Sequence, residues 1–277
     1  MQVIQVKLNQ RFKNSIRINF FALINSVGVR LTIAIVFLLS AIVSFWPGIS
    51  YALFNYKISN DNNSSSKFYF LIALGLIVLL YMVLLITRVG AQIGFEKGNK
   101  VTEIILTSIT RSQLYTAHVI SSFEVLLVSF SIIFSPMIAA FFIKNNSISI
   151  NMDFLTLPVL IFVSIHTILI SVIFVILAVA ITSIVKRSED TGPCMIIVLL
   201  PVFISNTYFL FTNSIYTGFF LPLNYIPLFS LITAIGACIN GDLSLWMQIT
   251  MLLSDVIFIV IAYVVGKRIF NKNIAVC

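Results

Sequence analysis

Long apolar runs separated by short charged segments make up most of the chain. The runs without Asp, Glu, Lys or Arg cover residues 31–56, 68–87, 125–143, 154–185 and 191–241, and a last run, 243–266, is interrupted only by Asp255. Each run has about the 20 residues, or more, that a helix needs to cross a hydrocarbon core about 30 Å thick. The pattern predicts an all-α integral membrane protein.

Composition supports this class, because 60% of the residues are hydrophobic and only 9% are charged. A soluble domain carries about 25% charged residues.

The first apolar run is longer than the core of a signal peptide and lacks an obvious small-residue cleavage site, so we expect it to remain as a span. We interpret residues 1–277 as a single transmembrane domain.

The distribution of Lys and Arg predicts six spans with both termini in the cytoplasm. With spans at 31–54, 68–90, 113–143, 154–185, 193–212 and 244–267, 14 of the 17 Lys and Arg residues lie on the inner side. This is the bias expected of cytoplasmic segments. A seventh span would move Lys267, Arg268 and Lys272 outside. We therefore predict that residues 213–241, rich in Gly and Pro, form an outer re-entrant region shielded by protein.

The N-terminal segment, residues 1–30, has the pattern of an amphipathic helix at the inner membrane surface. Apolar residues recur at every fourth position between basic ones, namely Ile4, Leu8, Phe12, Ile16 and Phe20. This pattern favours an interfacial helix, and a plain basic membrane anchor is the alternative. The net charge of +8 is then mostly an inner-face bias, which favours anionic lipid headgroups rather than nucleic acid.

Residues 95–111 form the one long charged stretch between spans. A helix here would place Val101, Ile104 and Ile105 on one side, and Lys97, Lys100 and Glu103 towards the other. We predict a helix over 95–111 that lies between the membrane and the cytoplasm.

Two stretches carry a resemblance to the type-2 ATP-binding-cassette exporter permeases. The first resembles the coupling loop of that family at Glu96, Gly98, Glu103, Ile105, Leu106, Ser108, Arg111, Ser112, Gln113 and Leu114. The second, Tyr225-Ile226-Pro227-Leu228-Phe229-Ser230, resembles its outer motif before the last span. The likeness is closest to the sodium-efflux and multidrug or peptide branch. Two positions depart from the family pattern: Ile109 stands where Pro is usual, and His118 where Lys is common.

The resemblance implies a permease that works as a dimer, with an identical or paralogous second copy and two ATP-binding-cassette ATPase subunits. Residues 1–30 would be the connecting helix of the family, and 95–111 its coupling helix. The implied ATPase-coupling residues are Glu96, Lys97, Gly98, Val101, Glu103, Ile104, Leu106, Ser108 and Arg111. A second inner loop contains Lys186, Arg187, Glu189 and Asp190. It would either make a smaller contact with the ATPase or be an ordinary solvated turn.

The chain has no phosphate-binding loop of the Gly-x-x-x-x-Gly-Lys-Ser/Thr type. We therefore expect no catalytic residue, metal site or bound cofactor in this chain, with ATP and Mg²⁺ held by the partner subunit. The resemblance implies a bacterial cell membrane protein that moves an ion, a hydrophobic drug, a lipid or an antimicrobial peptide outwards.

Three ionisable residues fall inside predicted spans, namely Glu124, His166 and Asp255. Such residues are rare in membranes and face a cavity or a partner. We predict that Asp255 either lines a pathway at the dimer seam or pairs with a polar group on span three or five. The alternative for Asp255 and His166 is a packing role.

Two other classes of function remain open. A secondary transporter would use Glu124, His166 and Asp255 as an ion relay, but the broken region appears only once, without the paired repeats of such carriers. An intramembrane enzyme would need a nucleophile or metal motif, such as Gly-x-Ser-x-Gly or His-Glu-x-x-His, and the sequence has neither.

Overall fold

The computed structural model describes residues 2–26, 29–31, 33–42, 63–99, 101–144, 156–185, 190–211 and 225–274. The helices in these ranges are α1 (Gln2–Asn25), α2 (residues 29–31 and 33–42), α3 (Asn63–Gly98), α4 (Val101–Leu106), α5 (Arg111–Lys144), α6 (Leu157–Thr182), α7 (Thr191–Phe211), α8 (Pro227–Asn240) and α9 (Leu245–Asn273). No strand occurs in the described ranges. The predicted all-helical class is confirmed.

Four of these helices, α3, α5, α6 and α9, are long and apolar enough to cross a membrane. The bent pair α1 and α2, whose axes meet at 60°, would make a fifth span. The described part of the chain therefore has four or five candidate spans. The arrangement of six spans stays a prediction.

Helix α6 lies at the centre of the fold and packs against α3, α5, α7, α8 and α9. Its side chains are buried around most of its circumference, which explains why Leu, Ile, Val and Phe occupy all of its faces. By contrast, α9 buries only a narrow stripe, formed by Met251, Asp255, Gly266 and Phe270. Leu252, Ile259 and Tyr263 pack beside this stripe and are partly buried, whereas many other apolar side chains of α9 are exposed on the surface of the chain.

The start of α5 and the end of α9 meet closely at Gly266. A Cβ atom at this position would collide with the hydroxyl of Tyr115 and lie 3.3 Å from the Cβ of Ala180. The ring of Tyr115 also packs against Tyr263 and Phe270, with ring centroids 5.5 and 5.3 Å away. Gly266 is needed here because no side chain fits between the two helices.

We predict that Gly266→Ala destabilises the protein by about 1–3 kcal/mol, since the added methyl overpacks the contact with Tyr115. The combination of Gly266→Ala with Tyr115→Phe should recover much of the loss, because the phenol oxygen is the colliding atom. Thermal unfolding of the purified protein measures both. Gly192→Ala is the control, since a Cβ there meets nothing within 4 Å. Equal stability of Gly266→Ala and Gly192→Ala would contradict the prediction.

Capping residues set several helix boundaries. The side-chain oxygen of Gln113 accepts from the Thr110 amide at 3.0 Å, and the Gln113 amide donates to the Thr110 hydroxyl at 3.3 Å, which starts α5. Ser244 starts α9 by accepting from the Met247 amide at 3.3 Å. Gly241, with φ of 84°, ends α8 in the left-handed conformation that glycine tolerates.

Helix α8 is short and buried. Its 14 residues extend about 21 Å, which is less than the membrane core. Residues 230–239 are all buried, and the helix packs against α6, α7 and α9. It lies within the predicted re-entrant region, 213–241, whose residues 213–224 lie outside the described ranges. The re-entrant path itself stays a prediction.

The predicted continuous helix over 95–111 is wrong. Helix α3 extends through Gly98, α4 covers only Val101–Leu106, and a turn at residues 107–109 leads to α5. The Ile109 amide still donates to Ile105 at 3.1 Å, and the capping pair Thr110 and Gln113 then opens the next helix. The capping pair makes this bend without the proline that is usual at position 109.

Thiol labelling tests the predicted topology. Cys194, in the first turn of α7, is partly exposed, whereas Cys238 in α8 is buried. We expect a membrane-impermeant thiol reagent to reach Cys194 only from the cytoplasmic side, and a Cys placed at Asn63 only from outside. Cys238 should stay unlabelled in the folded protein. Labelling of Cys277 from outside in intact cells would require an odd number of spans and contradict the prediction.

Candidate coupling site at the inner helix ends

Two pairs of helix ends are joined by residues that flank α4 in the chain. Lys97, at the end of α3, bonds to the chain just after α6, and Arg111, at the start of α5, bonds to the end of α9. The ends of α3, α6 and α9 and the start of α5 therefore lie on one side of the protein. This is the side that the predicted topology places in the cytoplasm.

Glu96 points into the protein. One carboxylate oxygen accepts from Gln92 Nε2 at 3.0 Å, and the other lies 3.4 Å from His118 Nε2 on α5. The other ring nitrogen of His118 lies 3.4 Å from Asn19 Nδ2 on α1. This buried polar group joins α1, α3 and α5. Glu96 therefore contacts residues of its own chain. The exposed surface of the site is formed by residues near it in the sequence.

Lys97 is held by the end of α6. Its ammonium group donates to the backbone carbonyls of Ser183 at 2.9 Å and Val185 at 2.6 Å. A cation at a helix C-terminus satisfies carbonyl groups that have no helical partner and interacts favourably with the helix dipole. Lys97 is partly exposed, and its ammonium group lies against the end of α6.

Arg111 makes a corresponding contact with the end of α9. Its Nη1 donates to the backbone carbonyl of Asn271 at 3.1 Å, in the last turn of that helix. A second bond joins the same two helices further from these ends, where the Thr116 and Tyr263 hydroxyls lie 2.8 Å apart. Helices α5 and α9 are thus bonded to each other on this side of the protein.

The exposed residues of this segment include Phe95, Gly98, Glu103, Ile104 and Thr107, which we call the α4 surface. Ile104 is 68% exposed and Phe95 is 65% exposed. The expected grouping of Ile104 with Val101 and Ile105 is wrong, because those two are partly buried whereas Ile104 lies outwards beside Glu103. The remaining coupling candidates, Leu106 and Ser108, are partly buried.

The second inner loop is only partly described. Lys186, Arg187 and Glu189 lie outside the described residues. Asp190 is exposed and directly precedes α7, where a carboxylate interacts favourably with the helix N-terminus. Whether this loop contacts a partner stays a prediction.

Residues 47–265 match the family described as ABC-2 family transporter protein. The match extends over most of the chain and includes α3 to α8 and most of α9, up to residue 265. The chain belongs to the ABC-2 transporter family. A comparison with curated proteins found no match. Family membership makes the chain a multi-pass membrane protein and the permease component of an ABC transporter, and it implies a partner with an ATP-binding cassette.

In this ABC-2 permease, two of the three intramembrane ionisable residues form a pair. His166 Nδ1 on α6 lies 2.7 Å from Asp255 Oδ2 on α9, and the two residues are 0% and 1% exposed. The expected partner of Asp255 on span three or five is wrong. The partner is on α6, because the buried stripe of α9 faces that helix.

A third residue joins this buried pair. His166 Nε2 lies 3.4 Å from the hydroxyl of Ser230 on α8, and the ring of Phe162 stacks on the imidazole with centroids 5.3 Å apart. Asp255, His166 and Ser230 thus connect α9, α6 and α8. Sequence reasoning missed Ser230, although it lies in the Tyr225–Ser230 motif that carried the family resemblance.

Glu124 is separate from these residues. It lies on α5 and is partly buried, and it makes no ion pair among the described residues. The predicted pathway residues therefore fall into two groups, a buried pair and a single carboxyl group.

Proposed function

We propose that this ABC-2 permease is the membrane subunit of an exporter driven by a separate ATPase that docks on the α4 surface. The observation that carries the proposal is the pair of exposed apolar side chains, Phe95 and Ile104, beside the carboxylate of Glu103. Exposed aromatic and aliphatic side chains beside a charge are typical anchors of protein interfaces. The family supplies the class of partner.

The energy source lies in the partner. The chain has no phosphate-binding loop, so ATP and Mg²⁺ belong to the ATPase subunit, and this chain acts without a cofactor of its own. We propose two permease chains, identical or paralogous, with two ATPase subunits beneath them. The substrate pathway lies between the two permease chains, with both termini of each chain in the cytoplasm.

The substrate proposal follows from the apolar character of the spans and from the resemblance to the sodium-efflux and multidrug or peptide branch. With 25 Phe residues and few charges, the pathway suits a hydrophobic drug, a lipid, an amphipathic antimicrobial peptide or a partly dehydrated ion. We place this exporter in a bacterial cell membrane, where Glu124, His166 and Asp255 are the candidates for contact with a polar part of the substrate.

Co-expression with ATP-binding-cassette ATPases from the same genome tests the proposal. We expect one of them to co-purify with the tagged permease, and we expect inside-out vesicles that contain both proteins to accumulate substrate when given ATP and Mg²⁺. A variant of the ATPase without its phosphate-loop lysine is the control. Transport that does not depend on ATP, and that stops when an ionophore removes the ion gradient, would instead identify a secondary transporter.

A further inference from the structure

We propose that Lys97 and Arg111 are the two attachments through which α4 moves the α6–α9 pair, an inference that rests on the proposed function. Both were expected to contact the ATPase. In the structure, each instead donates to backbone carbonyls at the inner end of a helix, Lys97 after α6 and Arg111 in the last turn of α9. They are positioning residues for coupling.

The position of α4 depends on its two ends. The helix has only six residues, and a helix this short is not stable by itself. Lys97 lies four residues before α4 and Arg111 five residues after it, so both attachments are close to the segment that would receive the push from the ATPase. A displacement of α4 therefore pulls on the ends of α6 and α9 together.

Helices α6 and α9 are suited to carry this displacement as one unit. They pack along their length, and His166 and Asp255 bond across them at 2.7 Å. His166 lies 16 positions before Thr182, at the end of α6, and Asp255 lies 16 positions before Asn271, near the end of α9. Sixteen residues correspond to roughly 24 Å along a helix axis. The two helices are thus joined at depth as well as attached at their inner ends.

Helix α8 connects the α6–α9 pair to the predicted outer side of the protein. Ser230 lies 3.4 Å from His166, the Ser254 hydroxyl donates to the Tyr225 carbonyl at 2.6 Å, and the Ser205 hydroxyl donates to the Phe229 carbonyl at 2.6 Å. A shift of the α6–α9 pair therefore reaches the start of α8. The proposed result is that ATP-driven movement at the inner surface changes the outer end of the pathway.

A distance measurement tests the attachment without the ATPase. In a chain with Cys194, Cys238 and Cys277 replaced by Ala, spin labels are placed at Thr107, beside α4, and Ile184, after α6, both of which are exposed. We expect a narrow distance distribution in the parent protein and a broad one in the Lys97→Met/Arg111→Met variant. Lys97→Arg should keep the narrow distribution. Lys13→Met, which removes an exposed inner charge from α1, is the control. Equal distributions in all variants would overturn the attachment.

A coupling measurement with the ATPase tests the consequence. Lys97→Met/Arg111→Met should retain ATPase co-purification and ATP hydrolysis while transport per ATP falls at least about tenfold. In a separate Lys97→Cys/Val185→Cys/Arg111→Met variant, a reducible thiol linker between the two introduced cysteines should raise transport per ATP, and cleavage by a reductant should lower it again. Unchanged transport per ATP in the double variant would overturn the inference. Absence of any ATPase partner for the parent chain would refute the proposed function, whereas the label distances would still report on the attachment.

Discussion

Asp255→Leu will destabilise the protein by about 3–5 kcal/mol, because it removes one member of a buried, hydrogen-bonded pair and leaves His166 without its partner. The pair lies between α6 and α9, where His166 is enclosed by Phe162 and Ser230. Asp255→Asn preserves the shape and an acceptor oxygen, so we expect a smaller loss of about 1–3 kcal/mol. Unfolding of the purified protein in detergent, followed by intrinsic fluorescence, measures both losses.

A double-mutant cycle separates the pair from its surroundings. Replacing both residues, as in His166→Leu/Asp255→Leu, removes both polar groups, and such replacements are often nearly neutral in stability. The double variant should therefore be more stable than Asp255→Leu alone, with a coupling energy of about 1–3 kcal/mol. Leu253→Ala, on the exposed side of α9, is the control. Additive losses in the two single variants would show that the 2.7 Å contact contributes no stability.

The same variants test the predicted pathway role. If Asp255 and His166 only hold helices together, the His166→Leu/Asp255→Leu variant should fold and still transport substrate. Loss of transport with normal folding and normal ATPase binding would show that the pair acts beyond stability, either by contact with substrate or ions or by carrying displacement between α6 and α9. Glu124→Gln provides the comparison, because Glu124 lies on α5 apart from the pair.

Helix positions were largely predictable from the sequence because the apolar runs and the charges at their ends reflect the membrane. For example, the predicted range 113–143 lies within α5, Arg111–Lys144, and 244–267 overlaps α9, Leu245–Asn273. The division of residues 95–111 into two helix ends and a short helix also has signals in the sequence. Gly98 with Asn99 is a common helix end, and Thr110 with Gln113 is a capping box that opens the next helix. The hydrophobic periodicity of residues 95–111 fits one continuous helix, but these two signals divide it.

The partners of the polar residues could not be predicted in the same way. An amphipathic pattern places Lys97 on the polar side of a helix. Whether its side chain contacts water or the end of α6 depends on packing between residues 86 positions apart in the sequence, Lys97 and Ser183. The pairing of Asp255 with His166 likewise spans 89 positions and depends on which face of α9 packs against α6. Such contacts are set by tertiary packing, which a single sequence does not specify.

Ile104→Glu and Glu103→Arg will uncouple the permease from its ATPase. Both residues lie on the α4 surface and are exposed, so the folded state loses little when they change. If Ile104 is buried in the complex, a carboxylate there is desolvated without a partner, and truncating or opposing such an interface anchor costs about 2 kcal/mol or more. We expect co-purified ATPase and ATP-driven transport to fall at least about tenfold, while membrane insertion and thermal stability stay unchanged.

Matched controls make this test specific to the α4 surface. Asp242→Arg makes the same charge reversal as Glu103→Arg at an exposed position between α8 and α9, on the predicted outer side, and should leave coupling intact. Ile104→Leu keeps an apolar side chain of similar volume and should retain most of the binding. The effect should also be separable from that of Lys97→Met/Arg111→Met, since α4 surface variants lose the ATPase whereas attachment variants keep it. Normal ATPase recovery and normal transport in Ile104→Glu and Glu103→Arg would exclude the α4 surface as the docking site. If the ATPase buried these side chains, a new charge at Ile104 or a reversed charge at Glu103 would weaken the interface.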